Sequence, residues 1–384
     1  MNKRDCHATS AQIDELLCSI LRGEAVAWPA SADAAYQEQF LAACDLHGVS
    51  PLIQQRLSRT RAWQDWPVRL QQTLAHHCRM QAALALLRER ELTRVLVALS
   101  EHGVSPLLMK GAPLAYTHYA APHLRTRCDT DLLVWQQDVE VVQQVLSELN
   151  YTRLNAVSGK LIMHQCTYVK EDRYGARHAL DVHWKVSNPY PFSEFLSYHE
   201  LARQAIAVPA LGKHARALPP VQALLLACVH RVAHHGNSER LIWLYDIHLL
   251  ASRMTHDERA IFIQLAADRR LRAVCGSGLQ LAQQRFATVL PVGFVQTVCG
   301  HGALSSEATT SRFLKPNQRH LHTLLGDLRA LSGWQNKICL LKEHLFPPPA
   351  YLLDRYATTR HAWLPLLYIQ RAIQGAWKAW QRVR

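Results

Sequence analysis

Apolar residues recur at three- and four-residue spacing through AQIDELLCSILRG (11–23) and AYQEQFLAACDLHG (35–48), and each run closes on a glycine. That pattern predicts two amphipathic helices with glycine stops. The same period fills the chain from about Ala75 to His102, most clearly in LALLRERELTRVLVAL, and Gly103 closes it. Residues 1–100 therefore read as an N-terminal helical region.

The period then changes. VSPLLM (104–109) is short and apolar, and KGAPLAYTHY after it reads as a loop entering a helix. DTDLLV (129–134) predicts a short strand behind two acids, and DVEVVQQVLSELN (138–150) another helix with Asp138 as its N-cap. LIMHQCTYVK and RHALDVHWKV predict two strands around an EDRYGA turn, where Gly175 suits a hairpin. Strand, helix, strand, helix and hairpin across 101–190 predict a small mixed-sheet core of α+β class. Helices return beyond it, clearest in PPVQALLLACVHRVAHHG, RLIWLYDIHLLASRM and DERAIFIQLAADRRL, and in the basic tail LPLLYIQRAIQGAWKAWQRVR. The organisation expected is a core flanked by helical regions at 1–100 and 191–384.

Composition narrows the partners more than the fold. Of 384 residues, 49% are hydrophobic and 19% charged, which fits a globular chain and not a disordered one. Lys plus Arg number 43 against 30 Asp plus Glu, a formal charge of +13 that favours an anionic partner. No dense Lys/Arg block occurs, so nucleic acid is the less favoured anion. Ten scattered cysteines form no Cys-x-x-Cys pair, which argues against a zinc ribbon or a disulfide framework. Without an apolar leader or an apolar run of about 18 residues, a cytoplasmic location without a transmembrane segment is expected.

The candidate chemistry sits at LRTRCDTDLLV (124–134). Side chains at i and i+2 of a strand share a face, so Asp129 and Asp131 would project together and repel unless a cation lies between them. Oxygen ligands at that spacing suit Mg²⁺ or Mn²⁺. Asp181 in ALDVHWKV would join them from a neighbouring strand. His183 would share its face, while Val182 and Trp184 take the other. Three such carboxylates could hold two metals that activate a hydroxyl and neutralise a pyrophosphate. Lys110 and Gly111, between a strand and a helix, offer a place for phosphates to approach the backbone, although the P-loop pattern is absent. Arg125 and Arg127 could bind phosphate oxygens or merely balance the aspartates. His230, His234 and His235 are read as packing or substrate-side groups in preference to a zinc site. The tail's Trp363, Trp377 and Trp380 are read as helix-packing residues in preference to a membrane contact.

LMKGAPLAYTHY, LRTRCDTDLLV and ALDVHWKV in this order resemble uncharacterised bacterial nucleotidyltransferases of the polymerase-β-like superfamily. The match runs through Lys110, Gly111, Arg125, Asp129, Asp131, Asp181, His183 and Trp184. HRVAHHGNSERLIWLYDIHLL resembles the family's His-Gly and Leu-x-Trp-x-x-Asp signature, through His230, His235, Gly236, Leu241, Trp243 and Asp246. LHGVSPLI, LFPPPAYLLDRY and LYIQR are also similar to family segments. One departure is Lys110-Gly111-Ala112, where better-studied relatives carry Gly-Ser or Gly-Gly.

The resemblance implies a nucleotidyltransferase core that moves a nucleoside monophosphate from an NTP to a hydroxyl on a small molecule, sugar or protein, with Mg²⁺ or Mn²⁺. Asp129, Asp131 and Asp181 would bind metal and act catalytically. Lys110, Gly111 and Arg125 would hold the triphosphate. Arg127, His183, His235, Trp243 and Asp246 would line the substrate pocket. The alternatives are a protein-modifying enzyme of toxin–antitoxin type and a non-catalytic nucleotide- or nucleic-acid-binding module.

Overall fold

The computed structural model describes residues 3–155, 163–300, 307–315, 327–328, 331 and 333–381. Four helices open the chain: α1 (Lys3–Arg22), α2 (Ala34–His47), α3 (Ser50–Leu57) and α4 (Val68–Glu101). The core follows as β1 (Leu107–Met109), α5 (Gly111–Thr117), β2 (Thr130–Leu133), α6 (Val139–Glu148), β3 (Thr152–Arg153), β4 (Gln165–Glu171) and β5 (Arg177–His183). Next come α7 (Tyr198–Gln204), β6 (Ile206–Ala207) and β7 (Arg216–Ala217), then α8 (Pro220–His235), α9 (Leu241–Arg253), α10 (His256–Asp268), α11 (Arg272–Phe286) and α12 (Phe294–Cys299). Further helices include Trp334–Leu345, Pro349–Arg355 and Leu364–Gln381.

The fold is α+β, with a mixed sheet in the order β3-β4-β5-β2-β1-β7-β6. Register explains how the sheet serves two cores. Leu107, Met109 and Leu133 face one apolar cluster, while Leu108, Leu132, Leu180 and Val182 face the other. The second cluster packs α4, through Leu92, Val95, Leu96 and Leu99, and α6, through Val142, Val145 and Leu146, against the sheet. The first joins residues of α1–α3 to residues of α8–α12. The helical regions at the two ends of the chain thus meet in one core on the same side of the sheet.

Several details depart from the sequence reading. Asp138 occupies the N-cap position of α6, but its side chain caps nothing there, because the chain enters through a 3₁₀ turn at Gln136–Asp138. Strands β3, β6 and β7 are two residues each, too short to register as a period. Leu161 and Ile162 of the expected LIMHQCTYVK strand lie outside the described residues. Trp363 and Trp377 are 50% and 55% exposed, and the side chain of Trp380 lies outside the described residues. The cysteines with described side chains are all free thiols. No helix among the described residues is long and apolar enough to cross a membrane.

Candidate active site

Strands β2 and β5 are parallel neighbours, and their register sets Asp131 directly beside Asp181. Two residues on, His183 returns to the same face, the side of the sheet packed by α1–α3 and α8–α12. One ligand atom from each of Asp131, Asp181 and His183 lies within 4.8 Å of the others, the group of this kind found among the described residues. The opposite-facing Val182 and Trp184 belong to the cluster behind the sheet, as strand alternation requires.

Asp129 is placed differently. Strand β2 starts at Thr130, so the i, i+2 rule does not reach back to it. Its carboxylate stands at the exposed mouth of the cleft, outside the tight group. The surrounding protein mass, and then the Asp131 and Asp181 charges, push its carboxyl up to about 6.

Asp131 is buried and paired. Its Oδ1 accepts a hydrogen bond from Lys110 Nζ at 2.5 Å and stands 2.9 Å from His183 Nε2. Burial alone would raise this carboxyl. The Lys110 charge and the His183 bond overcome it and hold Asp131 well below the usual carboxylate range. His183 is fully buried, and burial followed by the Lys110 charge lowers its pKa, so the neutral ring donates Nε2–H to Asp131. Asp181 is half-buried, with Thr167 Oγ1 donating to it at 2.6 Å and Gln165 Nε2 at 3.3 Å, both from β4.

Lys110 sits on a strained backbone, at φ 59° and ψ −136°, a conformation natural to glycine. Holding a lysine there costs on the order of 1–3 kcal/mol and directs its side chain to the carboxylate. Gly111 follows for a packing reason. A Cβ at that position would lie 2.7 Å from Arg125 Nη2 and 2.8 Å from Cζ, so the guanidinium lies flat against the glycine.

Arg125 itself is buried and committed. Its Nε donates to Asp246 Oδ1 at 2.8 Å, and its Nη2 to Oδ2 at 2.7 Å. Tyr119 Oη donates to the same Oδ1 at 2.8 Å. Burial works against the Arg125 charge, but Asp246 prevails and keeps its pKa above the ordinary arginine value. Asp246, expected as a pocket residue, therefore serves as the buried anchor of Arg125, which lines the cleft beside Gly111. Arg127 makes no ion pair among the described residues. Its Nη1 donates to Ala112 O at 3.3 Å, and it lines the cleft.

Helices close the site from above. The cleft has a volume of about 640 Å³, with Lys110, Asp131 and Asp181 on its floor, Asp129 at its mouth, and His230, His234, His235 and Trp243 on its wall. Gly236 takes a left-handed conformation that ends α8 immediately after the histidines. His235 stacks on Trp243 with ring centroids 3.9 Å apart, and Ser187 Oγ lies 2.9 Å from His234 Nε2. Burial, then the Lys110 charge, lowers His234 to about 3 and His235 to about 4. The wall is therefore neutral at pH 7.

Sequence reasoning missed another wall and a support. Asp45, Gly48, Ser50 and Pro51, from the end of α2 and the start of α3, also line the cleft. Gly48 O accepts a hydrogen bond from Thr126 Oγ1 at 2.6 Å, which ties LHGVSPLI to the loop that carries the acids. The resemblance of that segment was its only signal. Thr167 and Gln165, which orient Asp181, carried none.

A family model described as an uncharacterised nucleotidyltransferase matches residues 33–287. The chain belongs to this nucleotidyltransferase family. The matched stretch runs from just before α2 to the end of α11 and so contains every cleft residue named above. No curated protein matches the chain.

Asp131, Asp181 and His183 form a group that could hold a metal ion. Two in-register carboxylates belong to the ligand preference of Mg²⁺ and Mn²⁺, while imidazole nitrogen is preferred by softer ions. A hard ion would take Asp131 and Asp181, leaving the His183 N–H to orient Asp131 from behind.

Proposed function

We propose that this chain transfers a nucleoside monophosphate from an NTP to an acceptor hydroxyl, releasing pyrophosphate, with Mg²⁺ or Mn²⁺ bound. The observation that carries the reading is the in-register pair of Asp131 and Asp181 on adjacent parallel strands, at the floor of a roomy cleft. A binding module would have no use for two such acids in a chain of a nucleotidyltransferase family.

When bound, the ion supplies charge neutralisation for the phosphates and lowers the cost of forming the acceptor alkoxide. Asp131 and Asp181 hold it, with Asp129 completing the carboxylate set from the cleft mouth. The acceptor oxygen attacks the α-phosphorus, its proton passes to Asp181, and the bond to the β-phosphate breaks. Thr167 and Gln165 keep the Asp181 carboxylate oriented for that role. Lys110 and Arg127 serve the departing phosphates. Arg125 acts at one remove, by fixing Gly111 and the backbone that carries Lys110. The wall of His230, His234, His235 and Trp243 borders the acceptor side, where neutral imidazoles can hydrogen-bond a polyol or peptide without attracting a second anion.

The test is incubation with each labelled NTP and Mg²⁺ or Mn²⁺, followed by pyrophosphate detection and by separation of labelled small molecules, sugars and proteins from a lysate. Asp131→Asn and Asp181→Asn should release none. The reading fails if wild-type protein releases no pyrophosphate from any NTP and no NTP raises its unfolding midpoint. Label confined to protein would select the protein-modifying version.

A further inference from the structure

Lys110 stands where an incoming cation would have to act. Its Nζ is 2.5 Å from Asp131 Oδ1, and its side chain is only 13% exposed. The backbone that aims it there is strained, so the contact is imposed by the fold and is not a surface lysine folding over at random. The same oxygen lies within hydrogen-bond distance of His183, and among the described residues the neighbouring carboxylate, Asp181, receives the neutral donors Thr167 and Gln165. The ammonium is thus the cation recorded in contact with the paired acids.

We propose that Lys110 is a built-in counter-cation for the metal site, which neutralises Asp131 in the metal-free protein and gives way when a divalent ion arrives. The inference rests on the metal-dependent reading above. An ammonium and a divalent ion cannot share one buried carboxylate without strong repulsion. Binding of the ion therefore releases Lys110 into the cleft, where its only favourable partner is an anion such as a phosphate of the donor. The arrangement ties the two ligands together: the ion frees the lysine, and the triphosphate retains it.

Two measurements on the full chain test this, both with Mn²⁺ alone. The first is Mn²⁺ affinity, read from the signal of free Mn²⁺ by electron paramagnetic resonance. Lys110→Met should bind at least about tenfold more tightly than wild type, the size expected for removing one adjacent like charge. Lys110→Gly should do the same and, being at ease in this backbone conformation, covers the case in which the Met variant folds poorly. Asp131→Asn should lose binding. The second measurement is the reactivity of Lys110 toward an amine-acylating reagent, read by peptide mass mapping. It should rise when Mn²⁺ is added to wild type.

Equal or weaker Mn²⁺ binding by both Lys110 variants overturns the inference and leaves the metal reading standing. Unchanged acylation with Mn²⁺ bound overturns it also, because the lysine would then have stayed in place. Absence of Mn²⁺ binding in wild type and both Lys110 variants removes the metal reading and this inference together.

Discussion

Replacing Asp246 by Ala tests whether the active-site loop depends on an ion pair made across 121 residues of sequence. Both side chains are 7% exposed, so Arg125 would be left as a buried charge with no carboxylate. Removing one partner of such a pair costs about 3–5 kcal/mol. The lost bond from Tyr119 Oη adds on the order of 1 kcal/mol. Water entering from the cleft would return part of this, so a net loss of about 3–5 kcal/mol is expected. Urea unfolding at pH 7 measures it. The companion variant, Arg125→Met with Asp246→Leu, removes both charges and should recover most of the loss, because an apolar pair of similar volume leaves nothing unsatisfied. Pyrophosphate release should stay low in both, since Gly111 loses the guanidinium it packs against. An Asp246→Ala variant within about 1 kcal/mol of wild type, or a double variant as unstable as the sum of its parts, refutes the reasoning.

Asp131→Asn should destabilise the protein at pH 7 by about 1–3 kcal/mol, because Lys110 and His183 lose a charged acceptor; an unchanged thermal midpoint would show that the pairing contributes nothing. Asp129→Asn should do the reverse. The Asp129 carboxyl is raised from 3.8 to about 6, so its contribution to stability is full below pH 3.8 and lost as pH rises through about 6, and the variant should outlast wild type at pH 7–8 but not near pH 3.8. His234 has the opposite sign. Its pKa falls from 6.5 to about 3, so the stability tied to its neutral form is present above 6.5 and lost as pH falls toward 3. His234→Gln should flatten that acid limb in a series of melts from pH 7 to 4, and an unaltered limb would exclude this histidine as its source.

The fold was legible wherever a period ran long enough to state itself. Helices α2, α4, α8 and α9 fall where apolar spacing put them, and β5 was readable because Asp181 and His183 must share a face once Val182 and Trp184 take the other. The edge strands β3, β6 and β7 were not, since two residues carry no period. The union of α1–α3 with α8–α12 in one core was equally hidden, because each region satisfies its own amphipathic pattern and gives no sign of its partner.

Within the site, what could be read divides along the range of each interaction. Asp131 beside Asp181 follows from strand alternation plus one pairing, both local rules, and the structure brings them together. Asp129 was drawn into the same rule because the strand was taken to begin one residue early. The cations obey no such rule. Lys110, Arg125 and Arg127 lie near two acids, so the sequence offers Lys110 and Arg125 to the triphosphate and Arg127 to the pocket, and leaves charge balance open for both arginines. The fold instead gives Lys110 to Asp131, gives Arg125 to Asp246, and leaves Arg127 alone of the three without an ion pair among the described residues. Which carboxylate a buried cation faces is decided by packing across the whole chain, and desolvation then makes that choice stringent, because a misplaced charge costs several kcal/mol. The assignment of roles among cationic residues is for that reason the part of such a site that three-dimensional structure, and not spacing, must supply.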